Sequence, residues 1–279
     1  MKKFQNIYIA SDIDGTFTWE YNHTSERNFE KLKYFNENGG HFCFSTGRNN
    51  FDTAIVVPRW KEICTMPCIL CNGGFMYDAA TGKMINPRFL EPSERAREVF
   101  FDVIDNFGDI AGVRVSAPEG FIVCKNDSIA IENLKSMNVS DDIINIKERA
   151  DIDGKNWFKA VIRVDPEKRD MIRDFILEKY NEFSLTYSAP ILLEIQPLGV
   201  SKAYQLKVLE ENIKKENPNA VFYCIGDYEN DYEMLKTADI AVCPENATDR
   251  IKSICQKQVC HCKDGAVADL IDMIDASLS

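Results

Sequence analysis

The chain has 279 residues, of which 45% are apolar and 28% charged, a balance that excludes a disordered, fibrous or coiled-coil protein. Thirty-three Lys and Arg against 44 Asp and Glu leave a formal charge of −11, which disfavours nucleic acid and anionic membrane as partners, because both require clustered cations. No run approaches the roughly 18 apolar residues of a membrane helix. The apolar patch Ile7–Ala10 is too short for a signal peptide, so the expected location is cytoplasmic and the ten cysteines are expected to be thiols.

Residues 6–11 form an apolar, β-prone run that ends at Asp12-Ile13-Asp14-Gly15-Thr16. From Glu26 to Asn38, apolar Phe29, Leu32, Tyr34 and Phe35 recur at helical spacing, closed by Gly39-Gly40. A second strand is expected at His41–Phe44, followed by Ser45-Thr46-Gly47-Arg48, and a third at Cys68–Cys71, followed by Asn72-Gly73-Gly74. Strands alternating with helices indicate parallel βαβ units.

The middle of the chain changes character. Ser93–Phe107 reads as a helix, Gly112–Ala117 and Phe121–Lys125 as a hairpin, Phe158–Val164 as a strand and Pro166–Tyr180 as a helix. Phe183–Ser188 and Leu192–Gln196 form a second hairpin. This order describes an antiparallel α+β insert. The βα pattern returns after Pro197-Leu198-Gly199, with a helix over Ser201–Asn212, strands at Val221–Ile225 and Ile240–Cys243, a helix at Asp231–Lys236 and a closing helix at Ala266–Ala276. The expected division is a core formed by 1–86 and 197–279, interrupted by a domain at 87–196.

Three polar clusters fall at the carboxyl ends of the expected parallel strands: Asp12–Thr16, Ser45–Arg48 and Gly226-Asp227-Tyr228-Glu229-Asn230-Asp231. Ligands of open α/β sheets bind at such strand ends. Asp12 and Asp14 are two residues apart, so in extended backbone their side chains share a face. Neighbouring carboxylates repel and call for a cation. Hard oxygen donors suit Mg²⁺, with Asp227 available as a further ligand, and Mg²⁺ held this way usually meets a substrate phosphate. Lys202, at the start of a helix whose dipole disfavours a cation, is the candidate positive partner.

Taken in order, Asp12–Thr16, Ser45–Arg48, Asn72–Gly74, Gly199-Val200-Ser201-Lys202, Gly226–Asp231, Asn246-Ala247 and Asp264–Ala268 resemble the haloacid dehalogenase-like phosphohydrolases of the Cof type. The resemblance implies a Rossmann-like parallel α/β core with an inserted α+β cap of the C2B type. It implies Asp12 as the nucleophile that forms an aspartyl-phosphate and Asp14 as the general acid and base. Thr46 and Lys202 would meet the phosphoryl oxygens, with Gly15, Gly47, Arg48 and Asn230 also in the phosphate-binding set. Asp12, Asp14 (through its carbonyl) and Asp227 would hold Mg²⁺, with Asn230 and Asp231 around them. The implied activity is hydrolysis of a small phosphorylated metabolite, such as a sugar phosphate or phosphorylated cofactor. A phosphomutase of the same fold and a non-enzymatic phospho-acceptor or binding module are the alternatives.

Other signals carry less. Cys64, Cys68 and Cys71 have iron–sulfur spacing, but two of them flank a strand interior. Cys255, Cys260, His261 and Cys262 fit no common zinc site. Asp151-Ile152-Asp153-Gly154 reads as a turn, and Thr81-Gly82-Lys83 as a hairpin turn rather than a phosphate loop.

Overall fold

The computed structural model describes residues 2–137 and 139–278. Two compact units divide the chain: Met1–Asn86 with Ser201–Ser279, and Pro87–Val200. The return therefore falls at Ser201 rather than at residue 197, because Pro197 still closes a strand of the second unit and the turn after it packs with that unit.

The first unit is built on a parallel sheet of five strands in the order Lys257–Val259, Ile240–Pro244, Val221–Ile225, Ile7–Ser11, His41–Phe44. Ile7–Ser11 is buried along its whole length, as expected of a strand covered on both faces. From this strand the chain proceeds to His41–Phe44 on one side, and later to the remaining strands on the other. The order therefore reverses beside Ile7–Ser11, which places a crevice at its carboxyl end. The helices Glu26–Glu37 and Ala266–Ser277 pack together. Asn28 ties them to the loop after the first strand, donating to the Phe17 carbonyl (3.3 Å) and accepting from Ala268 N–H (2.9 Å).

Cys68–Leu70 corrects the sequence reading. It is not a full member of the parallel sheet but the first strand of an antiparallel sheet with Phe75–Asp78 and Lys83–Ile85. A single bridge, Ser45 to Ile69, joins it to the parallel sheet. The cause is local: Cys71 and Asn72 both take positive φ (52° and 53°), so the chain folds back on itself instead of entering a crossover helix. The hairpin turn over residues 81–83 follows from this pairing. The helix Asn50–Val56 and the short pair Thr18–Glu20 with His23–Thr24 have no counterpart in the sequence reading.

The second unit carries six strands in the order Ile144–Lys147, Gly120–Cys124, Ala111–Ala117, Lys159–Val164, Leu192–Pro197, Phe183–Ala189. All pairs are antiparallel except the first. Helices Ser93–Phe107 and Pro166–Lys179 supply Val99, Phe100, Val103, Ile172 and Ile176 to a core with Val113, Val115, Ala160, Ile162, Leu193 and Ile195. Those sheet residues alternate along their strands, as period-two patterning requires. The sequence reading lacked the helix Ser128–Ser136 and the strand Ile144–Lys147. The helix is set by Asp127, whose carboxylate caps Ala130 N–H (2.8 Å) and also accepts from Val113 N–H (2.7 Å).

Candidate active site

The site lies in the first unit, at the crevice beside Ile7–Ser11. After Ser11 the chain turns tightly: the Ile13 carbonyl accepts from Phe17 N–H (2.9 Å) and Thr18 N–H (2.8 Å). Gly15 is required at this turn. Its φ is +76°, and a Cβ there would stand 2.4 Å from Asp227 Oδ2. Thr16 donates its hydroxyl to Asp227 Oδ1 (2.8 Å), so the turn after the first strand fixes the aspartate after Val221–Ile225.

Asp12 is 4% exposed and Lys202 is fully buried. Lys202 Nζ bridges Asp12 Oδ1 (2.7 Å) and Asp231 Oδ1 (2.6 Å). Asp231 Oδ2 accepts from Asp227 N–H (3.0 Å) and Tyr228 N–H (3.3 Å), which orients the third strand-end loop. Lys202 opens the helix Lys202–Glu216, whose N-cap is Ser201. That helix start rests on Gly73, where a Cβ would meet the Ser201 carbonyl at 2.1 Å. Gln205 Nε2 donates to the Gly73 carbonyl (3.1 Å). A lysine in a helix's first turn is usually solvated; this one is aimed inward by the turn beneath it.

Burial pushes the Asp12 carboxyl up to about 7, opposed by Lys202 and reinforced by Asp231 and Asp14. Burial also holds Asp227 well above the usual carboxylate range, reinforced by Asp12 and Asp231. For Lys202 burial alone would favour the neutral amine, but the Asp12 and Asp231 charges outweigh it and keep the ammonium. One oxygen each from Asp12, Asp227 and Asp231 lie within 4.8 Å of one another, the single such cluster among the described residues. Three carboxylates facing one ammonium leave an excess of negative charge. Hard and close, with Asp12 and Asp231 buried and Asp227 half-buried, the set fits a divalent cation such as Mg²⁺.

Thr46 is buried, its N–H bonded to the Ile69 carbonyl (2.8 Å), and its hydroxyl accepts from Arg48 N–H (3.2 Å). Asn72 stands behind this loop. Its N–H reaches the Thr46 carbonyl (2.9 Å), its Oδ1 accepts from Asn230 Nδ2 (3.1 Å), and a Cβ on Gly47 would lie 3.2 Å from its amide. Asn72 thus links the second and third strand-end loops, and its left-handed backbone makes asparagine a natural occupant. Asn246 has a similar part: it donates to the Gly15 carbonyl (2.6 Å) and accepts from Cys262 N–H (3.0 Å). Neither residue stands in the sequence-derived site set. Both nevertheless lie in segments, Asn72–Gly74 and Asn246-Ala247, that carry the family resemblance.

Asp14 and Arg48 stand apart from the acidic cluster. Asp14 has a side chain 48% exposed. Both its oxygens are taken by the Arg48 guanidinium, Nε to Oδ2 (2.8 Å) and Nη2 to Oδ1 (2.6 Å). Arg48 Nη1 is bonded to Asp52 Oδ1 (2.6 Å). Arg48, expected at the phosphate, thus directs these donors at two carboxylates. All ten cysteines are free thiols. Cys68 Sγ accepts from Phe44 N–H inside the core.

Comparison with known proteins shows the family and the fold. A family model of haloacid dehalogenase-like hydrolases matches residues 9–271. A 5-amino-6-(5-phospho-D-ribitylamino)uracil phosphatase of Bacillus subtilis is 22% identical over 265 residues, covering 93% of this chain and 94% of its own. A haloacid dehalogenase-like hydrolase of Bacteroides thetaiotaomicron superposes with a TM-score of 0.77 at 22% identity, over 96% of this chain and 98% of the other. A sugar phosphatase of subclass IIB superposes with a TM-score of 0.80 at 15% identity, over 96% and 98% of the two chains. The chain belongs to the haloacid dehalogenase-like hydrolase family, as a phosphoric monoester hydrolase.

Proposed function

We propose that the protein is a Mg²⁺-dependent phosphatase that hydrolyses a small phosphorylated metabolite through an aspartyl-phosphate on Asp12. The observation that carries this reading is the buried Asp12–Lys202–Asp231 bridge beside Asp227. Asp12 and Asp227 would hold the metal through their carboxylates and Asp14 through its main-chain carbonyl. When bound, Mg²⁺ supplies positive charge to the phosphoryl oxygens.

The residues of the chain divide the remaining work. The Asp12 carboxylate attacks phosphorus and the substrate alcohol leaves. Asp14 gives a proton to the departing oxygen, then takes one from the water that hydrolyses the acyl-phosphate. Lys202 balances charge on the equatorial oxygens, and Thr46 and Asn230 hydrogen-bond them. Asp231 orients Lys202. The Asp12 carboxyl, raised to about 7 in the chain alone, must be ionised to attack, so added positive charge at the cluster favours the reactive form.

Two relatives bear names that specify a ribityl phosphate and a sugar phosphate, which supports a small polyhydroxylated phosphomonoester here. The inserted unit Pro87–Val200 is read as the part that selects it. Release of inorganic phosphate from 4-nitrophenyl phosphate over many turnovers, dependent on Mg²⁺, tests the reading. A phosphomutase would move phosphate without releasing it, and a phospho-acceptor module would react once.

A further inference from the structure

The sequence reading assigns Arg48 to the phosphate, yet the structure surrounds it differently. Its Nε and Nη2 form a two-point fork with Asp14 (2.8 and 2.6 Å), and its Nη1 reaches Asp52 Oδ1 (2.6 Å). Asp52 is 4% exposed. Asp52 is itself fixed, because its N–H donates to the Asn49 side chain (2.8 Å) at the start of the helix Asn50–Val56. The guanidinium lies 5.4 Å from the centre of the Tyr21 ring. Asp14 sits at the far end of this chain of contacts, with a side chain 48% exposed.

An exposed aspartate normally samples several rotamers. A planar guanidinium with two parallel bonds removes that freedom in a way a lysine does not. Asp52 contributes nothing at the acidic cluster, so its buried charge is explained by Arg48. A proton carrier displaced by about 1 Å loses much of its rate advantage. We infer that Asp52 and Arg48 are positioning residues for Asp14: Asp52 sets the guanidinium, and the guanidinium sets where the carboxylate of Asp14 stands. This rests on the reading above, in which Asp14 exchanges the proton. For that exchange the oxygen of Asp14 that carries the proton, taken up from solvent at the exposed side chain, gives up its bond to Arg48 while the other oxygen stays held.

The test compares wild type, Asp52→Asn, Arg48→Lys and Asp14→Asn with Mg²⁺ on 4-nitrophenyl phosphate and phenyl phosphate. The first has a good leaving group and needs little protonation, whereas the second needs more. In kcat/KM, Asp52→Asn and Arg48→Lys should each raise the rate ratio of the first substrate to the second by about tenfold, towards the ratio of Asp14→Asn. The inhibition constant of inorganic phosphate should stay within about twofold of wild type. An unchanged ratio with weaker phosphate inhibition would make Arg48 a phosphate ligand and overturn the inference. Equal losses on both substrates would leave a structural role only, and also overturn it. If Asp14→Asn itself leaves the ratio unchanged, the acid–base reading of Asp14 falls and takes the inference with it. If Asp14→Asn shifts the ratio and the other two do not, the inference alone falls. Where Asp52→Asn melts early, Arg48→Lys, which keeps the charge and loses the fork, gives the same readout.

Discussion

Lys202 Nζ lies 2.7 Å from Asp12 Oδ1, although 190 residues separate the two in sequence. The pair closes the first unit across its insert, joining the end of the first strand to the helix at which the chain returns. It is fully desolvated on the lysine side, so its balance depends on every member of the cluster.

Lys202→Met tests that balance. The variant keeps the apolar stem and leaves Asp12 and Asp231 facing each other without a cation. Removing one partner of a buried pair costs about 3–5 kcal/mol. Urea denaturation should show a loss of that order, and Lys202→Met with Asp231→Asn should regain part of it, because the two sites couple directly. Unchanged stability in Lys202→Met would contradict the buried bridge.

Gly15→Ala should damage turnover more than folding. A Cβ at Gly15 would stand 2.4 Å from Asp227 Oδ2, so the carboxylate or the turn must shift. A displacement near 1 Å is worth about 100-fold in rate. Gly82→Ala is the control, since Gly82 has a similar φ of +71° but its Cβ would meet only the Tyr77 hydroxyl at 3.4 Å. Steady-state kinetics on both variants should show the loss in the first alone.

Magnesium should stabilise the protein as well as activate it. A ligand at 100 times its Kd adds about 2.7 kcal/mol to the state that binds it. Thermal melts should rise with added Mg²⁺, and Asp227→Asn should abolish most of the rise. Chelation should stop turnover and Mg²⁺ restore it. Full activity in chelator, or restoration by zinc alone, would remove the magnesium assignment.

Glu210 offers a pH-dependent test away from the site. It lies half-buried on the helix Lys202–Glu216, its Oε1 has no hydrogen-bond partner among the described residues, and burial pushes its carboxyl up to about 7, with Lys214 opposing. Near pH 4 it is protonated both folded and unfolded and costs nothing. Between the ordinary glutamate range and about 7 the folded protein holds a proton that the unfolded chain releases, so stability falls as pH rises. Above that it is ionised in both states and the full cost remains. Glu210→Gln should therefore raise the melting temperature by about 2 °C at pH 8 and leave it unchanged near pH 4. An equal effect at both pH values would contradict the assignment.

Four of the five core strands were legible in the sequence because they are largely apolar runs, three of them ended by an informative cluster, whereas Lys257–Val259 is polar and mostly exposed and was missed. Ile7–Ser11 with Asp12 and Val221–Ile225 with Asp227 needed no tertiary knowledge. The fold-back after Leu70 was hidden, since Cys68–Cys71 reads as a parallel strand until Cys71 and Asn72 are seen in left-handed backbone. Ile144–Lys147 was missed because an edge strand is partly polar and lacks the burial pattern of its neighbours. Within the site, motif positions identified Asp12, Asp227, Asp231 and Lys202 as candidates, and these four meet in space. The partners of Arg48 were not readable. Asp52 lies four residues on, in a helix too short to show periodicity, and its pairing depends on where that helix turns.

The central claim is covalent catalysis by Asp12. Rapid acid quench during turnover of 4-nitrophenyl phosphate, followed by peptide mass spectrometry, measures it most directly. A phosphoryl group is expected on the peptide containing Asp12, at the Asp12 carboxylate, accumulating further in Asp14→Asn because activation of water for the second step is impaired. None is expected in Asp12→Asn, together with loss of turnover. A phosphoryl group on Asp14, or near-normal turnover by Asp12→Asn, would contradict it.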